Sequence, residues 1–160
     1  TKDEINSWFK DRGWSHSGYH DIIHLNGMIE NMQPYDYDHT IEGWEIANGA
    51  RGYNGNSFHL AYVGGVTAHD HTIPKDTRNT EQCESMEIYC KLLVRRYPNI
   101  KIIGHNQVSN KACPSFDVPS WLADNYVVSP NNISYFREED NAEIKKLNSE
   151  FDKFDISPSE

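Results

Sequence analysis

The fold class this sequence predicts is α/β, a small mixed central sheet flanked by helices, and three stretches predict it. Asn26-Gly27 sits between two runs with period-two alternation, the strongest short-range signal for an antiparallel hairpin. FHLAYV at 58–63 is aromatic and β-branched in part, closes on Gly64-Gly65, and reads as a buried central strand. A long apolar helix over 79–97 is stopped by Pro98 and followed by NIKII, read as a short buried strand whose end delivers the chain into a loop rich in reactive side chains. Loops beyond the carboxyl ends of strands are where α/β domains usually place their sites.

Taken in order, TKDEINSWFKDRGW opens with capping-box spacing from Thr1 to Glu4. Ile5, Trp8 and Phe9 recur at helical intervals, and Gly13 is a C-terminal stop. A helix beginning at the first residue is an abrupt start for an α/β domain, which suggests that something precedes it. In the hairpin, His20 and His24 read as strand residues on a polar face or satisfied histidines at a sheet edge rather than as ligands. Residues 44–46 read as a further short strand, and the Gly- and Asn-rich segment 48–57 as a loop. His69, Asp70 and His71 form a cluster in a polar loop, where solvation is the expected fate. In the long helix Cys83, Met86, Ile88, Cys90, Leu92, Leu93 and Val94 build a wide apolar face, with Arg95 and Arg96 suiting its C-terminal end. Asp117 is placed to cap a helix running to about 123. A charged helix over 137–154 follows, its Ile144, Leu147, Phe151 and Phe154 stripe expected to pack on the body of the domain rather than on a partner, before a frayed ISPSE end.

Composition narrows the function. The 160 residues fit one domain of ordinary size, able to bury a core without disulfides. Fifteen Lys and Arg against 24 Asp and Glu leave a net charge of −9, which argues against a nucleic-acid partner, since such binders concentrate positive charge. Three cysteines make an odd count for a disulfide framework, and Cys83 and Cys90, two helical turns apart, are too distant to bridge. Both read as small core residues. No apolar run approaches the ~18 residues of a membrane span, and no basic-then-apolar leader opens the chain.

The loop GHNQVSNKACPSFD at 104–117 carries the chemistry. It sets the imidazole of His105 and the thiol of Cys113 eight residues apart, with Lys111 two residues before the thiol. Nitrogen and sulfur donors together suit Zn²⁺, and a lysine beside them can steady negative charge developing on a substrate oxygen. As a metal site the loop is incomplete: catalytic zinc normally takes three protein ligands and a water, and two are visible.

GYHDIIHLNGMIE, ARGYNGNSFHLAYVGG and GHNQVSNKACPSFD fall in an order and at spacings that resemble the type 2 N-acetylmuramoyl-L-alanine amidases, phage-lysozyme-like enzymes related to peptidoglycan recognition proteins. The resemblance covers residues 1 to about 125, leaving 126–160 as a C-terminal helical extension packed on that amidase-like domain. It implies a zinc hydrolase, of the endolysin or autolysin kind, that acts at the bacterial cell wall and cuts the amide between N-acetylmuramic acid and L-alanine in peptidoglycan. It further implies that His105 and Cys113 are the second and third zinc ligands, Lys111 the lysine assisting catalysis, and Tyr19 the active-site tyrosine. The other implied possibility is a peptidoglycan-binding module that keeps the groove without zinc or catalysis.

The chain departs from the family pattern twice. The family's first ligand is a histidine ending a strand ahead of the first helix, and no such residue is present. Either that strand lies upstream, which the abrupt helical start favours, or His20 or another histidine substitutes, or the site is defective. Many relatives also carry a histidine just before the Ala-Lys/Arg-Gly segment. Here Gly49 precedes Ala50, Arg51 and Gly52, so a substrate-facing group is absent or replaced by Asn48.

Overall fold

A computed structural model describes residues 1–151, without the side chains at 144, 145 and 147–151. Helix α1 (Lys2–Asp11) starts as its sequence dictates. The Thr1 hydroxyl accepts the Glu4 N–H while the Glu4 side chain reaches back to the cap, so first-turn donors are satisfied. The helix buries Phe9, whose ring stacks on Trp14 at 5.3 Å and meets Tyr19 edge-on at 5.7 Å. That contact buttresses the approach to the first strand.

Strand β1 (Asp21–Ile23) pairs antiparallel with β2 (Ile29–Asn31), and Gly27 turns the hairpin at φ +81° with its N–H donating to the His24 carbonyl at 2.9 Å. The other edge of β1 pairs in parallel with β3 (Leu60–Tyr62), giving a mixed sheet of order β2-β1-β3. Two expectations change here. All three β1 residues are buried, so the alternation read from the sequence does not separate a wet face from a dry one; a strand covered on both faces has no polar side. His20 is fully buried rather than on a polar face or edge.

The run expected to form a central strand is instead an edge strand among the described residues, and NIKII does not form a ladder strand. Ile102 makes a single parallel bridge to Ile133, its N–H donating to the Asn132 carbonyl at 2.7 Å and its carbonyl accepting from Ser134 at 3.1 Å. Between β3 and this segment lies an apolar cavity of about 820 Å³, with Leu60, Tyr62, Ile102, Ile103 and Phe116 in its wall. Among the described residues neither segment has a strand neighbour on the cavity side.

The strand expected at 44–46 is also absent. Glu45 is buried and accepts the N–H groups of Asp36 and Glu42, each at 2.8 Å, folding the chain back as a turn. Helix α2 (Thr80–Arg96) runs nearly as predicted, with Asn79 and Gln82 forming a reciprocal capping box and Tyr97 closing it. Its apolar face is narrower than the sequence suggested. Met86 and Cys90 are buried, whereas Ile88 and Leu92, four residues apart, are more than half exposed at 57% and 59%. The third buried residue of α2 is Gln82, whose amide donates to the Val63 carbonyl at 2.9 Å and ties the helix to the end of β3.

Helix α3 (Val118–Asp124) is capped by Asp117 and supplies Val118 and Leu122 to a cluster with Cys90, Val127 and Ile133. Cys83, Cys90 and Cys113 are all free thiols, with Cys90 in the core as expected and Cys83 half-buried. Helix α4 (Glu138–Phe151) covers most of the predicted charged helix. The stripe expected to dock it, at Ile144, Leu147, Phe151 and Phe154, and the ISPSE end lie outside what is described.

Candidate active site

The 104–117 loop is held in place by its own side chains. Buried Gln107 accepts the Gly104 N–H at 2.7 Å and donates to the carbonyls of Ser134 and Phe136 at 2.8 and 2.9 Å. Asn106 donates to the Phe116 carbonyl at 3.1 Å. At the far end, the Tyr62 hydroxyl donates to the Pro114 carbonyl at 2.8 Å and Ser115 donates to the Gly65 carbonyl at 2.7 Å. The Cys113-Pro114 bond is cis, and Ser115 sits at φ +71°. Both ends of the loop are therefore fixed, while residues 110–113 are exposed between them.

Three of the four predicted site residues lie in this loop, and Tyr19 lies beside it. His105 opens a short 3-10 turn (His105–Gln107) and is half-buried. Burial, and then the nearby Lys111 ammonium, holds its imidazole below the ordinary histidine range, so the ring is neutral and has a lone pair to offer at neutral pH. Tyr19 precedes β1, and its N–H donates to the Ser17 hydroxyl at 3.1 Å. Burial, with a further contribution from Cys113, pushes its phenol up, against a smaller opposing effect of Arg12. Tyr19 is consequently a hydrogen-bond donor under all physiological conditions.

Cys113 thus bears on the Tyr19 phenol and Lys111 on the His105 imidazole, and nitrogen and sulfur donors of this kind suit zinc. The set is one ligand short. Among the described residues no three His, Cys, Asp or Glu side chains gather into a group that could hold a metal ion. His20 is excluded as the substitute: Nε2 bonds to the Glu45 carbonyl at 2.8 Å and Nδ1 accepts the His59 N–H at 2.9 Å, leaving neither ring nitrogen free. His24 is paired with Glu30 at 2.8 Å. His69 and His71 are exposed in a turn in which Asp70 accepts from Thr72, the solvated arrangement expected.

One residue in this neighbourhood was not singled out from the sequence. His59, at the entry to β3, stacks on His20 with ring centroids 5.7 Å apart, and its Nε2 is buried without a hydrogen-bond partner. Burial, aided by His20 and His105, pushes it down to about 4. The available signal was a lone histidine within an aromatic and aliphatic run. Asn48 lines a small polar cleft with Gly13, Trp14, Ser15, Arg51 and Asn54, and its N–H donates to the Ser17 carbonyl at 2.9 Å.

The fold is that of the amidase and peptidoglycan-recognition class. The N-acetylmuramoyl-L-alanine amidase LysC of Clostridium intestinale URNW superposes with a TM-score of 0.60 at 22% identity, over 80% of this chain and 77% of that one. The ectodomain complex of peptidoglycan recognition proteins LCa and LCx bound to tracheal cytotoxin gives 0.58 at 19% identity, over 81% and 68%. Sequence then specifies the family: the N-acetylmuramoyl-L-alanine amidase model matches residues 1–116, and the chain belongs to that family. The endolysin of Escherichia phage T7 is 32% identical over 127 residues, covering 79% of this chain and 77% of its own. The endolysin of Enterobacteria phage K11 is 32% identical over 119 residues, covering 74% and 72%.

Proposed function

We propose that this protein is a zinc-dependent endolysin-type amidase that hydrolyses the bond between the lactyl group of N-acetylmuramic acid and L-alanine in bacterial peptidoglycan. The observation that carries this reading is the pairing of Tyr19 with Cys113 and of His105 with Lys111 at one loop, in a chain of the amidase family with phage endolysins among its relatives. A zinc held by imidazole and thiolate supplies a water of pKa near ~7 and a polarised carbonyl. Water oxygen adds to the acyl carbon, the C–N bond breaks, and the peptide leaves with a protonated L-alanine amine.

Each of these four residues has a part in that reaction. His105 and Cys113 are ligands. Lys111 places its charge against the oxyanion of the tetrahedral intermediate, and neutral Tyr19 donates a hydrogen bond to it or to the attacking water. Donors of this kind are worth ~3 kcal/mol each. The third ligand comes from a strand upstream of Thr1. The cavity supports this: among the described residues it lies between two segments that each lack a strand neighbour on that side, and it is walled mainly by apolar side chains. Residues 1–125 form the amidase domain and 126–160 an extension of it. The site of action is the cell wall, and among the described residues no helix is long and apolar enough to cross a membrane.

The second reading, a peptidoglycan-binding module without catalysis, is favoured by one observation, the lack of a three-donor group among the described residues. Zinc content and cleavage of a soluble muramyl peptide, both measured on the protein extended upstream, separate the two. Stoichiometric zinc with release of free L-alanyl peptide is the expected result; stoichiometric zinc without cleavage overturns the enzyme reading.

A further inference from the structure

His59 is held as a binding group is held, yet among the described residues nothing hydrogen-bonds its Nε2. Its N–H donates to His20 Nδ1 at 2.9 Å, and its carbonyl accepts from the His20 and Asp21 N–H groups at 2.8 and 3.3 Å. The ring lies flat against His20, with 15° between the planes. On its other flank the ring occupies space that exists because residue 49 is glycine: a Cβ there would lie 2.3 Å from His59 Cγ and 2.4 Å from Nδ1. Main chain and ring position are thus both determined.

In this seat Nε2 is buried and has no partner, an arrangement that costs about 1–3 kcal/mol and is uncommon without a functional reason. The residue as a whole is only half-buried. A half-turn about χ2 exchanges Nε2 with Cε1 and leaves the ring plane where it is, so the nitrogen can take either position without repacking. His20 cannot do the same, because both of its nitrogens are committed. The proximity of His59 to His105 places this nitrogen next to the reactive loop.

We propose that His59 is a substrate-binding residue of this site, its imidazole hydrogen-bonding an amide of the stem peptide beside the scissile bond. The inference rests on the amidase reading and adds a contact that the His105, Lys111, Cys113 and Tyr19 set does not contain. Binding of N-acetylmuramoyl-L-alanyl-D-isoglutamine, followed by titration calorimetry, tests it. His59→Ala should weaken binding about fivefold, the scale of one neutral hydrogen bond, and His59→Gln, which keeps a donor and an acceptor, should recover most of the loss. A His59→Ala protein that binds as well as the unsubstituted one overturns the inference while leaving the amidase reading standing, even if its melting temperature falls. Failure of the unsubstituted protein to bind the ligand overturns both.

Discussion

Tyr89, on α2, donates its phenolic hydrogen to Asp21 Oδ2 at 2.7 Å, fastening that helix to the strand that Tyr19 and His20 lead into. Asp21 is 5% exposed and also accepts from Tyr35 at 2.8 Å and from Asn31 at 3.0 Å. Burial, reinforced by the Asp21 charge, pushes the Tyr89 phenol up, so it remains a donor. Asp21→Asn turns one acceptor oxygen into a donor facing a donor, and should destabilise the protein by about 2–3 kcal/mol. Tyr89→Phe should cost about 1 kcal/mol. Urea denaturation reads both, and an unchanged midpoint for Asp21→Asn contradicts the arrangement.

Stability should also fall in mild acid through His59. Its folded pKa of about 4 lies below the ordinary 6.5, so the unfolded chain takes up the proton first. The stabilisation is complete above pH 6.5, shrinks as pH falls, and is gone below about 4. Its full size is at most about 3 kcal/mol. In the presence of a chelator, His59→Gln should lose stability less steeply than the unsubstituted protein between pH 6.5 and 4. Parallel curves would show that the imidazole is not excluded from protonation by the fold.

The loop chemistry separates by substitution. Cys113→Ser should abolish amide cleavage and weaken zinc binding, whereas Lys111→Ala should lower kcat about 100-fold with zinc content unchanged. Full activity of Lys111→Ala shows its role is wrongly assigned. The 160-residue chain itself, with two ligands, should hold zinc weakly and show little activity.

The cavity makes a prediction about the backbone. In the 160-residue chain the outer-edge amides of Leu60–Tyr62 and of 101–103 should exchange quickly with solvent. In a protein extended upstream by one strand they should become protected and the melting temperature should rise. Protection already present without the extension would mean the slot is closed by other means.

What the sequence made legible was local. The helix limits at Thr1 and Asn79 follow from capping boxes, and the hairpin from Asn26-Gly27, because each depends on residues three or four apart. The His105, Lys111 and Cys113 loop was legible because its reactive side chains fall within one stretch of nine residues. The failures came where distant chain decides. Residues 44–46 look like a strand until Glu45 binds the amides of Asp36 and Glu42, and 99–103 looks like a strand although its neighbour on one side is an apolar cavity. His59 was passed over because its significance depends on Gly49, ten residues earlier and visible as a neighbour only in the fold.

The most direct test is digestion of purified bacterial sacculi by the upstream-extended, zinc-loaded protein, with the released products identified by mass spectrometry. The prediction is soluble stem peptides bearing free L-alanine amino termini, with no increase in reducing sugar ends. New reducing ends, cleavage within the stem peptide, or intact sacculi in the presence of stoichiometric zinc would contradict it.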